Sequence, residues 1–326
     1  MARRRDYGMD NLRGLLILLV VLGHLLEICK PFPGRVFLYR TVYSFHMPAF
    51  LFLTGYFAKF DGKKILWNFL LPYVLFQTLY LIFDGRLDGS PVEWQYTKPY
   101  WLLWYLLVCL FYHVLLPLYA AASRRQRILA LGITFGLSLV AGYVEAFGYQ
   151  FSLSRFFVFQ PWFLLGYYCR QENLLMRLNG MEENRKLLLQ GVFAVSVCVF
   201  PLIMEMLGFS YRILFGSYSY EVLDYGPGER IFGAMVAFGW IGFGLLVLLP
   251  ILRWRLPMLT ALGQNTMGVF LLHGFAVRYI QHRQPGMLHS PLMVAVVTAL
   301  ILAICGNPLV GKAFRWLFSG KYMERK

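Results

Sequence analysis

An arginine and a histidine interrupt an apolar stretch near the start of this chain. It reads Met9-Asp10-Asn11-Leu12-Arg13-Gly14, continues through leucine, isoleucine and valine, and reaches Leu22-Gly23-His24. Ionisable groups at membrane depth are costly, so they face a protein interior or a watery cavity and mark a functional path. At ~100° per residue Arg13 and His24 fall on one helix face, ~16 Å apart along the axis. A fixed cation near one surface and an acid/base group at mid-depth suit a long anionic ligand threaded into the membrane. Histidine titrates in the range needed to take a proton from a hydroxyl. Glu27, one turn further on, either orients that imidazole or is a carboxylate at headgroup level. Asp10, one turn before Arg13, is expected to pair with it or to cap the helix.

Four histidines fall inside apolar stretches: His24, His46, His113 and His273. Counted in from the expected span ends, His24, His46 and His273 reach similar depths, ~12–18 Å into a ~30 Å core. Three imidazoles at one level predict a shared central cavity. Taken singly, His113 and His273 read more simply as hydrogen-bond partners of a neighbouring helix. Pro48, just after His46, would bend the second span and release a backbone carbonyl. Aromatic residues gather at 100–105 and 160–163, as interfacial belt or core packing, with stacking on a sugar the other use open to them. Arg155 and Arg230 close the outer ends of spans, where surface anchoring is the first reading and contact with an anionic acceptor the second.

These residues need helices to place them. The 326 residues are 59% hydrophobic and only 14% charged, which predicts an all-α polytopic membrane protein. About ten stretches are long and apolar enough, near 12–29, 37–57, 65–83, 100–120, 128–148, 155–170, 187–207, 231–251, 258–279 and 290–311. On that layout 20 lysines and arginines fall in links or at span ends on the N-terminal side and 10 on the other. The bias places both termini in the cytoplasm. It also accounts for the +15 net charge without nucleic acid, since the basic residues are spread over several links. Ala2-Arg3-Arg4-Arg5 resembles the start of a signal peptide, but the apolar run is too long and lacks a small-residue cleavage site. An uncleaved first helix, one membrane domain over 1–326 and no appended soluble domain are the expectations. The five cysteines, Cys29, Cys109, Cys169, Cys198 and Cys305, lie apart without a Cys-x-x-Cys pair. Neither a disulfide framework nor a metal site is expected.

Several of these residues recur as a pattern. Asp10-x-x-Arg13-Gly14 is followed by His24, then by Ser44-Phe45-His46-Met47-Pro48-Ala49-Phe50 and Thr54-Gly55-Tyr56. Trp101, Trp104-Tyr105-Leu106, Phe163-Leu164-Leu165-Gly166-Tyr167-Tyr168, Gly263-Gln264-Asn265-Thr266 and Leu271-Leu272-His273 complete it. In order and spacing the chain resembles the acyltransferase 3 family of integral-membrane O-acyltransferases over nearly its whole length, and within it the fucose O-acetylase-like branch. The resemblance implies ten core helices, acetyl-CoA as cytoplasmic donor, a sugar or glycan hydroxyl as acceptor, and essential roles for Arg13 and His24. Many members open the third span with Arg-x-x-Arg. Here Lys63-Lys64 stands instead, two point charges in place of bidentate forks. Many also carry a C-terminal esterase-like domain, which is not expected here.

Read together, the residues predict a direct transfer in the plasma membrane. Arg13, with Lys63, Lys64, Arg253 and Asn265, would hold the donor. His24, with Glu27 and His46, would do the chemistry, His24 as general base. Asn265 or His46 would face the oxyanion that develops on the thioester. The resemblance implies a sugar, polysaccharide or lipid-linked glycan as acceptor; membrane lipid around the protein and a separate partner protein on the outer face are further expectations. The competing reading is a proton-coupled transporter or flippase, since buried Arg and His also build ion pathways. The absence of paired broken helices in the sequence pattern speaks against it.

Overall fold

The computed structural model describes residues 7–120, 123–174, 180–244, 254 and 256–318, with backbone alone at 193, 194, 197, 198, 239, 242 and 243. All regular structure among them is helical. The main helices are α1 (Tyr7–Ile28), α2 (Arg35–Phe57), α3 (Gly62–Asp88), α4 (Trp104–Ala120) and α5 (Arg124–Tyr143). They continue as α6 (Leu153–Gln171), α7 (Glu183–Met206), the single turn α8 (Tyr220–Leu223) and α9 (Pro227–Phe243). The chain closes with α10 (Pro257–Gln264), α11 (Thr266–Arg283), α12 (Pro291–Cys305) and α13 (Pro308–Leu317).

Local chemistry sets the starts. Ser123 opens α5 with a reciprocal capping box to Gln126, and Ser290 caps α12 ahead of Pro291; both satisfy amide groups that a helix start leaves open. Asp61 accepts from the Lys64 amide at the start of α3. That bond, with the Lys64 ammonium, holds its carboxyl below the usual carboxylate range. A π-turn over Leu66–Leu70 widens α3 before it continues.

By length and composition α1, α3 and α5 can each cross a membrane, as can α12 and α13 taken together across a 51° bend. Apolar side chains also face outward in regular rows. Leu292, Val296, Leu300 and Ile304 form an exposed i, i+4 stripe along α12, a face that suits lipid rather than water.

Two expected spans differ from the helices found. The stretch 258–279 is broken at Asn265, whose φ −118° and ψ 20° interrupt the helix. Its amide N–H closes α10 on the Leu262 carbonyl, and its own carbonyl accepts from Val269 to open α11. The stretch 290–311 bends at Gly306-Asn307-Pro308, where proline cannot continue the hydrogen-bond ladder. The interrupted-looking stretch 155–170, by contrast, is one helix with Pro161 inside it.

The chain forms two compact units. The first contains residues 1–46, 178–202 and 238–315; the second contains 47–177, 203–237 and 316–326. The division falls inside α2, between His46 and Pro48.

In the first unit α1 packs backbone to backbone on α10. A Cβ at Gly14 would collide with the Leu259 carbonyl, and one at Gly263 with the Asp10 carbonyl. The pairs 14 with 259 and 10 with 263 make α10 antiparallel to α1. In the second unit α2 meets α6 in the same manner. A Cβ at Gly55 would strike the Phe163 carbonyl, and one at Gly166 the Phe52 carbonyl. Arg170 then donates to the Tyr56 carbonyl at the end of α2 (3.2 Å), as a cation at a helix C-terminus should.

Candidate active site

The close approach of α1 and α10 builds one end of the site. Arg13 Nη1 lies 3.8 Å from Asp10 Oδ1, so the expected pairing is present. Gln264 donates from Nε2 to the other Asp10 oxygen (3.4 Å). Next to it Thr260 donates to Asn11 Oδ1 (2.7 Å), and Asn11 donates to the Trp254 carbonyl (2.9 Å). Asp10 is nearly buried while the Arg13 side chain keeps about a third of its surface exposed, which leaves the cation reachable from one side.

Asn265 sits at the α10–α11 break and its amide is engaged at both ends. Nδ2 donates to the Gly306 carbonyl (3.2 Å), and Oδ1 accepts from Arg315 Nη1 (2.7 Å). Arg315 also donates to the Gln264 carbonyl (3.2 Å), capping α10. Gly311 lies against the Asn265 amide with no room for a Cβ. Asn265 therefore ties α10 and α11 to the bend between α12 and α13. The sequence reading gave Arg315 no role, because nothing in the sequence places residue 315 beside 265.

Around His24 the structure gathers side chains from three helices. The His273 ring on α11 stacks on the His24 ring with centroids 5.4 Å apart. Tyr43 Oη on α2 is 3.4 Å from His24 Nδ1, and Glu27 Oε2 is 3.7 Å from the same nitrogen. The His46 ring meets the Tyr43 ring edge-on at 4.8 Å, and Tyr39 stacks on Tyr43 at 4.2 Å. Arg35 donates to the Leu26 carbonyl (2.9 Å) and the Glu27 carbonyl (3.4 Å), closing the end of α1. Thus His24, His46 and His273 do lie together, with Tyr43 between the first two. Tyr43 was missed because an isolated tyrosine in an aromatic-rich span carries no signal of its own.

The tautomers follow from the backbone. His46 Nδ1 is 2.7 Å from the Val42 carbonyl, and His273 Nδ1 is 2.9 Å from the Val269 carbonyl. A carbonyl only accepts, so each Nδ1 carries a proton, and in the neutral form of either ring Nε2 is an acceptor. His273 is fully buried, and its Nε2 has no hydrogen-bond partner among the described residues. A buried acceptor of this kind is costly unless something donates to it.

The remaining expected residues fall elsewhere. Lys63 and Lys64 belong to the second unit, at the exposed start of α3, where Lys64 Nζ pairs with Asp61 at 3.2 Å. His113 is also in the second unit, bonded to the Cys109 carbonyl and packed between Phe69 and Phe163. Arg253 and Arg255 lie outside the described residues. No group of three or more His, Cys, Asp or Glu side chains among the described residues is placed to hold a metal ion.

A family model described as an acyltransferase domain, that of the acyltransferase 3 family, matches residues 6–306. The chain is similar to nodulation protein NolL of Sinorhizobium fredii (strain NBRC 101917 / NGR234), 26% identical over 234 residues. That match covers 61% of this chain and 58% of the relative, so the chain spans well under two thirds of that protein's length. No solved structure matches the chain.

Proposed function

Because this chain belongs to the acyltransferase 3 family, we propose that it is a membrane O-acyltransferase carrying an acetyl or other short acyl group from cytoplasmic acetyl-CoA to a hydroxyl of a sugar or glycan. The observation that carries the reading is the arrangement of α1. Arg13 is paired at one end with Asp10, which Gln264 also holds, and His24 is enclosed by His273, Tyr43 and Glu27 further along.

Arg13 and Arg315 flank Gln264 and supply guanidinium groups, which suit the phosphates of coenzyme A. The donor arm then extends along α1 toward His24. Glu27 and Tyr43 lie on the Nδ1 side of that ring and hold the proton there, so Nε2 takes the proton of the acceptor hydroxyl. The hydroxyl oxygen bonds to the acyl carbon, the carbon–sulfur bond breaks, and the protonated His24 returns its proton to the departing thiolate. A neutral His46 offers only an acceptor, and the Asn265 amide is spent on the helix junction. We therefore assign neither the oxyanion; the Tyr43 hydroxyl, on the Nδ1 side, steadies the imidazolium that forms as His24 takes the proton. His46 positions Tyr43 through the edge-on ring contact.

In the same proposal ten helices cross the plasma membrane, both termini face the cytoplasm, and the acceptor is a polysaccharide or lipid-linked glycan. Purified protein in liposomes, given acetyl-CoA and a membrane glycan extract, should release free thiol in step with acetyl incorporation. Proton or solute flux without thiol release would transfer the site to a transporter.

A further inference from the structure

The second unit holds a buried arginine with no carboxylate partner among the described residues. Arg230, in the first turn of α9, retains only 7% of its surface exposed. Nη1 donates to the Ser138 carbonyl on α5 (2.9 Å), and the Tyr220 ring lies 4.8 Å from the guanidinium carbon. Nε and Nη2 have no hydrogen-bond partner among the described residues, and no carboxylate there pairs with it. The residue beside it could have done so. Glu229 instead turns its carboxylate to the Gly226 amide (2.9 Å). This overturns the first reading of Arg230 as a surface anchor, since the side chain is folded inward under Tyr220.

The two unpartnered donors are not a random pair. Nε–H and the adjacent N–H of Nη2 form the side edge of a guanidinium, two parallel bonds spaced for two oxygens of one carboxylate or phosphate. Arg155 shows the contrast. Its Nε and Nη2 edge is filled by the Phe215 carbonyl (3.0 Å) and Ser217 Oγ (3.3 Å), and it stacks on Trp104 and Tyr149. A buried charge without an opposite charge is among the most costly features a fold can keep. Water could satisfy the two hydrogen bonds but not the charge. Arg230 lies ~5 Å along α9 from Pro227, near the helix end, which in the proposed topology is the outer headgroup level where phosphate is abundant.

We propose that Arg230, with the Ser138 carbonyl and the Tyr220 ring fixing its plane, is a binding site for a phosphate-type oxyanion, separate from the His24 cluster. The anion belongs either to a bilayer lipid headgroup or to a free phosphate ligand. The site does not depend on the acyl-transfer reading, and its test does not use activity.

The full chain, purified in a phosphate-free sugar detergent, would be titrated at constant ionic strength with inorganic phosphate, with short-chain phosphatidylglycerol and with chloride. Thermal unfolding is the readout, because a ligand bound only to the folded state raises Tm. Wild type should show a saturable rise of about 2 °C or more with a phosphate probe over chloride. Arg230→Lys should bind at least about tenfold more weakly, because an ammonium lacks the fork, and Arg230→Gln should show no phosphate-specific rise. A rise with inorganic phosphate points to a free ligand, and one with the lipid alone points to a headgroup; both support the site. If neither probe shifts wild type, or the shift is as large in Arg230→Lys, the proposal is wrong, whether or not Arg230→Gln folds.

Discussion

His24 has two oxygen-bearing groups on its Nδ1 side and a second imidazole stacked on its face. That environment suits a base whose proton is already held at Nδ1. His24→Gln keeps the volume but has no basic nitrogen, so turnover should fall by about 10²–10⁴ while acetyl-CoA binding persists, as thiol release and calorimetry would show. Tyr43→Phe removes only a hydroxyl and should lower kcat by about tenfold with little change in KM, in keeping with a group that acts in the transition state. An equal loss in binding would make Tyr43 a packing residue instead. At this scale the sequence was informative where charge meets lipid. Arg13, His24 and the level shared with His46 and His273 stand out because polar groups are expensive there. Tyr43 and Arg315 did not, and the burial of Arg230 was not legible, since their meaning depends on which distant residue lies opposite.

The helix seams explain residues that are not themselves reactive. Gly14 and Gly263 let α1 and α10 touch through their backbones, and Gly55 and Gly166 do so for α2 and α6. A methyl group at any of the four has to push carbonyls apart. Gly14→Ala and Gly263→Ala should each cost about 1–3 kcal/mol, read as a lower unfolding temperature and a loss of acetyl-CoA affinity through Arg13. Gly132, on α5 with open space around it, is the control: Gly132→Ala should stabilise by about 0.5–1 kcal/mol. The motifs around Asp10, Thr54, Phe163 and Gly263 were visible as patterns in the chain. Their pairing across two seams was not, because a sequence pattern carries no contact. The break at Asn265 was also hidden. Its cause is the bonding of one side chain to Gly306 and Arg315, while the local composition remains compatible with an unbroken helix.

Across the whole molecule the apolar surface and the buried polar cluster imply opposite solvents for outside and inside. The α12 stripe of Leu292, Val296, Leu300 and Ile304 faces outward, so Leu300→Arg should oppose membrane insertion by about 2.5–3.5 kcal/mol and reduce the fraction integrated. Equal integration would argue that this face is covered by protein. The all-helical class follows directly from hydropathy and length. The layout into two compact units does not, because their boundary runs through the continuous helix α2 and leaves no linker to read. The account as a whole rests on donor binding by the first helix, and calorimetric titration of acetyl-CoA into the purified full chain tests it most directly. Wild type should bind, Arg13→Ala should lose most of its affinity, and His24→Ala should bind without turning over. A folded wild-type protein that takes up no acetyl-CoA would contradict it.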